Sequence, residues 1–417
     1  MPGRVHIAIF VVACLLGLAF AAVSTYDFAQ HLDRQVHDLH CSFIPGQRTA
    51  TTGTEAVGCQ VTLMSPYSSV LRSTVWGGIP ISLPAMAMFA FLAFRGLDLL
   101  GRTGAARKRA AGFLFAASAI PVLASAVMGA IAMLELGAAC KLCIGIYGAS
   151  LVALLAAGLA WASIRKAYAS GEHGSPDPQD RADQPTGPIV LVGLAQLAAF
   201  VGVPVLVYAM MMPDYSRYVG TCGKLADTED PGGVMVDLDQ NDAAAIAVEV
   251  FDPLCPSCRA FDKRLATAGL DQQMHRKAVL FPLDDACNWM VEGAMHPGAC
   301  TISEAILCAD TIKSGPSPQQ VIAWAFEQQE RIREAAKADP TAARKLVVER
   351  FGELGACVGS AEVQQRLNKS LRWAVAHSIP VLTPQLYVDG VKLCPEDTDL
   401  GLEYSLTGLL QRRGGGR

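Results

Sequence analysis

The sequence predicts an α-helical membrane bundle followed by a soluble α/β domain that carries a helical insertion. Three observations predict it. Five apolar runs of the length needed to cross a hydrocarbon core as helices, roughly 20 residues each, all fall before Pro213. In the polar half, the strand-like segment Ala245–Phe251 leads into Cys255-Pro256-Ser257-Cys258 and then into a helix-forming stretch. A second Cys-x-x-Cys, Cys140-Lys141-Leu142-Cys143, opens one of the apolar runs. One dithiol at a membrane edge and one in a soluble domain suggest a path for electrons between proteins and something dissolved in lipid.

Of the 417 residues 52% are hydrophobic and 17% charged, too apolar for an ordinary soluble protein. The runs are Val5–Ser24, Val75–Phe94, Ala111–Leu134, Leu136–Ile164 and Ile189–Met212. Pro80 and Pro84 fall in the second and are expected to kink it, which membrane helices tolerate when neighbours satisfy the freed carbonyls. Arg95, Arg102, Arg107, Lys108 and Arg109 lie between the second and third runs against one acid, Asp98, and Arg165 and Lys166 follow the fourth. The positive-inside rule makes both segments cytoplasmic. Thr25–Thr74, the turn at Glu135–Ala139 and everything after the fifth run then lie outside, so both Cys-x-x-Cys pairs share one face. Ala19-Phe20-Ala21 also fits a signal-peptide cleavage site, and cleavage there would not alter the orientation of the rest. The expected domains are a four-helix membrane domain at 1–168, a cytoplasmic linker at 169–188 (its core GEHGSPDPQDRADQPTGP being rich in Pro and Gly), a fifth transmembrane helix at 189–212 and a soluble domain at 213–417. The tail Arg412–Arg417 is expected to be disordered. A net charge of −4 gives no sign of nucleic-acid binding.

A strand, a Cys-x-x-Cys and a helix in that order is the thioredoxin-type arrangement. Cys255 falls at the helix N-terminus, where unpaired N–H groups and the macrodipole favour a thiolate, the nucleophile of disulfide exchange. Pro256 suits the first helical turn, because its missing N–H would have had no partner there. Cys258, one turn on, can resolve a mixed disulfide. Thr383-Pro384 followed by the strand Gln385–Val388 and the turn Asp389-Gly390 resembles the element in which a cis proline faces the Cys-x-x-Cys and shapes the peptide groove. Thr383 and Pro384 are therefore expected at the substrate groove. The helix-prone stretch Ala299–Leu371 between these elements is expected to be an inserted helical subdomain.

Thirteen cysteines fit an oxidising compartment, and their odd number leaves at least one thiol without an intramolecular partner. Cys255 and Cys258 read as redox-active, against a structural disulfide or half a zinc site. No nearby ligand pair completes a zinc site, so no metal is expected. Cys287 and Cys300 flank a loop and read as a structural disulfide. Cys222, Cys308, Cys357 and Cys394 cannot be paired from sequence. Cys14 reads as a packing residue, and His275 and His296 as ordinary surface or hydrogen-bonding histidines.

In the membrane half, Cys41 and Cys59 stand in the outer loop. Ser65-Pro66-Tyr67-Ser68-Ser69 follows, and Gly77-Gly78-Ile79-Pro80-Ile81-Ser82 runs into the second span. The fourth span begins Cys140-Lys141-Leu142-Cys143, with Tyr147 four residues on. This pattern, over about Val5–Ile164, resembles the vitamin K epoxide reductase (VKOR) family, and the fifth helix with a thioredoxin-like domain resembles its fused bacterial form. The resemblance implies a lipid quinone, ubiquinone or menaquinone, docked beside Cys143. Tyr147 and Pro80 are then expected at the quinone, Cys140 exchanges with the loop pair, and Cys41 and Cys59 take electrons from Cys255 and Cys258. Tyr147 reads nearly as well as a packing aromatic, and Tyr67 and Trp76 as interfacial anchors. Lys141 inside the motif, and Gly77 where the family commonly has an aromatic residue, depart from the pattern.

The expected function is that of a membrane thiol oxidase of the bacterial inner membrane, with its thioredoxin-like domain in the periplasm. It would make disulfides in exported proteins with free thiols and pass the electrons to quinone. Two rivals stand beside it: an outward-directed thiol reductase or isomerase, and a non-enzymatic anchored module whose cysteines are all structural.

Overall fold

A computed structural model describes residues 3–35, 37–44, 54–170, 187–230, 232–238, 243–312 and 315–414. The chain divides into two compact units, residues 1–213 and 214–417.

The first unit is helical. Its helices are α1 (Arg4–Gln30), α2 (Thr54–Leu63), α3 (Ser82–Gly101), α4 (Gly104–Ile131), α5 (Lys141–Ala169) and α6 (Gly187–Met211). All but α2 belong to segments long and apolar enough to cross a membrane. The hydrophobic side chains α1 buries, Phe10 and Phe28 among them, face α3 and α5. Glycines allow this close packing. A Cβ on Gly17 would meet the Phe89 ring at 2.5–2.7 Å, and one on Gly145 would meet Phe20 at 2.8–2.9 Å. Overpacking of this kind typically costs about 1–3 kcal/mol. Gly17→Ala is therefore expected to lower the thermal unfolding midpoint of the detergent-solubilised protein, and an unchanged midpoint would show that the α1–α3 seam yields.

Several boundaries differ from those expected. The second span begins at Ser82, not Val75. Gly77 and Gly78 both adopt positive φ (67° and 76°) and turn the chain. Ile79–Pro80 then forms β2, antiparallel to β1 (Ser69–Val70). Pro80 thus precedes the helix, and Pro84 lies in its first turn, so neither kinks the span. The arginine-rich segment from Arg95 is mostly helical, with only Arg102 and Thr103 between α3 and α4. Arg95 is buried, 3.4 Å from Asp98 and 3.3 Å from Gln196 of α6. The fourth span starts at Lys141 rather than Leu136, because a π turn over Ala132–Leu136 ends at Gly137, which has φ 59°. The outer loop is not plain loop, since α1 continues to Gln30 and α2 lies within it. Trp76 is buried rather than an interfacial anchor, with Arg34 5.8 Å from its ring. Of the expected linker, Ala169 ends α5 and Gly187 begins α6, while residues 171–186 lie outside the described residues.

The second unit has a five-stranded sheet of β3 (Val236–Asp237), β4 (Ala245–Phe251), β5 (Met274–Leu280), β6 (Gln385–Val388) and β7 (Val391–Lys392), in the order β3-β5-β4-β6-β7. β4 is central and buried on both faces, parallel to β5 and antiparallel to β6. That burial is why AIAVEVF reads as a continuous apolar run. The one acid in it, Glu249, is 3.2 Å from Arg276 of β5. The redox helix α7 (Pro256–Thr267) follows β4. Between β5 and β6 the chain inserts α8 (Ala299–Thr311), α9 (Pro318–Ala338), α10 (Ala342–Arg350) and α11 (Ala361–Ala376). A last helix, α12 (Leu402–Gly414), includes Arg412, which donates to the Val219 carbonyl at 2.6 Å. Arg412–Gly414 is thus helical and not a disordered tail; residues 415–417 lie outside the described residues.

Candidate functional site

In the soluble unit, Cys255 is the N-cap of α7 and Pro256 its first residue. Cys255 is 6% exposed and Cys258 fully buried. Hydrogen bonding from the Cys258 thiol, from Thr383 and from the Cys258 backbone N–H outweighs burial and the charge of Asp252, and brings the Cys255 thiol from its ordinary value near 9 down to about 6. Burial and the neighbouring Cys255 push Cys258 well up. One sulfur is poised to attack and its partner is held as a thiol in reserve. The Thr383–Pro384 bond is cis, and the Thr383 carbonyl oxygen lies 3.8 Å from Cys255 Sγ.

Sequence reasoning missed the groups that hold this motif. Asp252 is completely buried just ahead of it, and its carboxylate accepts from the backbone N–H groups of Leu254 and Leu283, both at 2.6 Å. His296, read from sequence as an ordinary histidine, is 8% exposed, with Nδ1 2.8 Å from Asp252 Oδ2. Burial lowers the His296 pKa, but the hydrogen bond and charge of Asp252 and the charge of Cys255 outweigh it and raise the imidazole. Gln329, on the inserted helix α9, donates to the carbonyls of Cys255 (3.0 Å) and Pro253 (3.2 Å). The insertion therefore clamps the backbone of the redox turn. The signals available were only an Asp beside the motif and a lone His 44 residues away from it, and neither carries a spacing rule.

Four disulfides are formed: Cys41–Cys59, Cys222–Cys394, Cys287–Cys300 and Cys308–Cys357. Cys14, Cys140, Cys143, Cys255 and Cys258 are free, and Cys14 is buried among packing residues. Among the described residues the candidate metal cluster is Cys222, Cys394 and Glu396, but those two sulfurs are bonded to each other.

In the membrane unit, Cys140 is the N-cap of α5, and its sulfur accepts from the Cys143 N–H at 3.3 Å. The Thr62 hydroxyl of α2 also reaches the Cys140 sulfur. Gly58, one residue before Cys59, lies against the Ala139 carbonyl so closely that a Cβ would overlap it. That approach brings the loop disulfide into one buried cluster with Cys140, Leu39 and Phe20. Beside it is a cavity of about 830 Å³. Cys59, Cys140, Cys143 and Tyr147 line it, together with apolar side chains such as Met88 and Phe89. Pro80 does not; its neighbours Ile81, Ser82 and Pro84 do. A cavity of this size, mostly apolar with a few convergent polar groups, is of the kind that holds a small apolar ligand.

Residues 8–157 match the model of the vitamin K epoxide reductase family. They form a VKOR domain. The soluble unit is thioredoxin-like in its strand order, in the Cys-x-x-Cys that caps the helix after the central strand, and in the cis proline ahead of the neighbouring strand. No curated protein matches the chain. Solved structures similar to it include the oxidoreductase DsbA from Xylella fastidiosa, at 18% identity and TM-score 0.31, covering 44% of this chain and 96% of that one. Reduced DsbA1 from Neisseria meningitidis matches at 16% identity and TM-score 0.30, covering 45% and 98%. MdbA, a thiol-disulfide oxidoreductase from Corynebacterium diphtheriae, matches at 14% and 0.26, covering 42% and 85%. The chain thus joins a VKOR domain to a thioredoxin-like domain, and each carries a free Cys-x-x-Cys.

Proposed function

We propose that this protein is a quinone-linked thiol oxidase of the bacterial inner membrane that makes disulfides in exported proteins. Thiols of the exported protein reduce the Cys255/Cys258 disulfide in the periplasm. Electrons then pass to Cys41/Cys59, next to Cys140/Cys143 and finally to ubiquinone or menaquinone. Each exchange is a thiolate attack through a mixed disulfide. The observation that carries the reading is the apolar cavity lined jointly by Cys59, Cys140 and Cys143. It sets a loop cysteine, the helix dithiol and space for a lipid-soluble acceptor side by side.

The low pKa of Cys255 supports the oxidising direction. A stabilised thiolate favours the reduced state, and so makes the disulfide the stronger oxidant. The positions of Cys59 and Thr62 against Cys140 support Cys59 as the loop cysteine that exchanges with it. When bound, quinone supplies a two-electron acceptor. Cys143 sits at the cavity wall to meet it, and Tyr147, one turn further along α5, offers a hydroxyl to its oxygen.

The reduced, detergent-purified protein, mixed anaerobically with a soluble ubiquinone or menaquinone analogue, is expected to consume one quinone for every two protein thiols lost. The absorbance of the analogue and a free-thiol count read both. If neither analogue reacts while Cys255/Cys258 still exchanges with small thiols, the oxidase reading fails.

A further inference from the structure

The cavity wall holds a buried acid–base pair that the electron path above leaves unused. Asp27, in the last turn of α1, is 2% exposed, and His40, directly before Cys41, is 8% exposed. His40 Nδ1 lies 2.5 Å from Asp27 Oδ1, and the His40 backbone N–H donates to Asp27 Oδ2 at 2.9 Å. The Asp27 carbonyl is in turn 2.7 Å from His31 Nδ1. Asp27 and His40 both line the cavity that Cys59, Cys140 and Cys143 line. The titratable groups around the imidazole are Asp27, His31 and Tyr26, the last with its ring 6.1 Å away, and across the cavity Cys140, Cys143 and Tyr147.

A carboxylate and an imidazole are a costly way to pin a loop at the end of an apolar helix, because both must be desolvated when charged. An uncharged amide would tether the loop with less penalty. What this pair adds is a proton that can be held and released inside an apolar site, and quinone reduction requires one there. We propose that His40, oriented by Asp27, donates a proton to a quinone oxygen in this cavity. The proposal rests on the quinone reading above.

The step balances as follows. The Cys140 thiolate, whose sulfur accepts from the Cys143 N–H, and the Cys143 thiol together give up two electrons and form the Cys140–Cys143 disulfide. The two quinone oxygens take the Cys143 thiol proton and the proton of the His40 imidazolium, yielding the hydroquinone. His40 is left neutral and recovers its proton from water on the outer face. Asp27 is a positioning residue: its carboxylate fixes the ring through Nδ1, leaving Nε2 as the nitrogen that donates.

The test uses the full-length protein in detergent, reduced and mixed anaerobically with a soluble quinone analogue in single turnovers across pH. The wild-type rate is expected to rise with pH as the thiolate forms and to fall again at higher pH as the supply of protons to the quinone fails. In His40→Gln the rate is expected to drop about 10²-fold, the size of a typical general-acid contribution, and the falling limb to vanish. In Asp27→Asn the rate is expected to drop less than in His40→Gln, because the imidazole is present but no longer held through Nδ1, and Asp27→Glu is expected to recover part of the loss. Binding of the analogue to the oxidised protein, read by tryptophan fluorescence, and formation of the Cys41–Cys59 disulfide are expected to stay as in wild type. His40→Gln with the wild-type rate and both limbs overturns the proposal. So does a slow His40→Gln protein that keeps the falling limb or has lost quinone binding, since the pair is then only a tether. A wild-type protein that reduces no quinone sinks the quinone reading itself, a different result from either.

Discussion

Cys143→Ala is expected to reduce quinone no faster than the uncatalysed background, while Cys255 and Cys258 continue to exchange with small thiols. The reason is stoichiometric. Two electrons leave the membrane dithiol only if its sulfurs can end as a disulfide, and without Cys143 the Cys140 sulfur has no partner across the helix turn. The wild type and the variant should bind the quinone analogue alike, because the cavity wall is otherwise unchanged. Removing one half-buried sulfur should cost under about 1 kcal/mol of stability, within the range of mild substitutions, so loss of activity will not reflect loss of fold. Quinone absorbance and a thiol count on the reduced variant read the result. A Cys143→Ala protein that still reduces quinone at the full rate would show that the acceptor meets another sulfur.

Cys258→Ala is expected to stop turnover one step earlier and to accumulate mixed disulfides between Cys255 and exported proteins. They should be visible as adducts on non-reducing gels that dithiothreitol removes. Cys255 attacks or is attacked first because it caps α7, whereas Cys258 is buried and stays protonated until it resolves the adduct. A pH effect comes with it. In the reduced wild type, alkylation of Cys255 should be half-maximal at about pH 6. The Cys258 thiol is the largest cause of that low value, so the midpoint should move upward in Cys258→Ala. The linkage to stability has a definite sign. A thiol depressed from near 9 to about 6 stabilises the reduced fold fully above pH 9 and loses that contribution as pH falls through 6. At pH 7 one unit remains, worth about 1.4 kcal/mol. Unfolding of the reduced wild type by urea should therefore need less denaturant at pH 5 than at pH 7. If the two midpoints coincide, Cys255 is not the low-pKa thiol.

Much of the fold could be read from local chemistry. Ala245–Phe251 is apolar but for Glu249 because β4 is covered on both faces along most of its length, and the run ends where Asp252-Pro253 turns the chain toward Cys255. Pro256 announced the start of α7 for the same reason it is tolerated there. Hydropathy starts the second span at Val75 rather than Ser82 because Val75-Trp76 and Ile79 are as apolar as the helix that follows. Only the paired turn of Gly77 and Gly78, with Ile79–Pro80 laid against β1, assigns Ile79–Pro80 to a strand and leaves Val75-Trp76 in the turn before it. The arginines from Arg95 onward marked a charged end of the bundle, but helix continues through most of that segment, since composition says where charge collects and not where hydrogen bonding stops.

By itself, the sequence determined the membrane-sized helices, the two dithiols at helix starts and the order of the modules. Each of these depends on residues near one another in the chain, through hydropathy, capping and the fixed reach of a Cys-x-x-Cys. Only the tertiary structure decided which distant groups meet. It paired Cys222 with Cys394 and Cys308 with Cys357, set Asp252 and His296 beneath the redox turn and clamped that turn with Gln329 from the insertion. It also placed Asp27 and His40 at the wall of the cavity beside Cys143. Such contacts leave no periodicity in the chain, because a buried hydrogen bond needs only a donor and an acceptor that packing brings within reach.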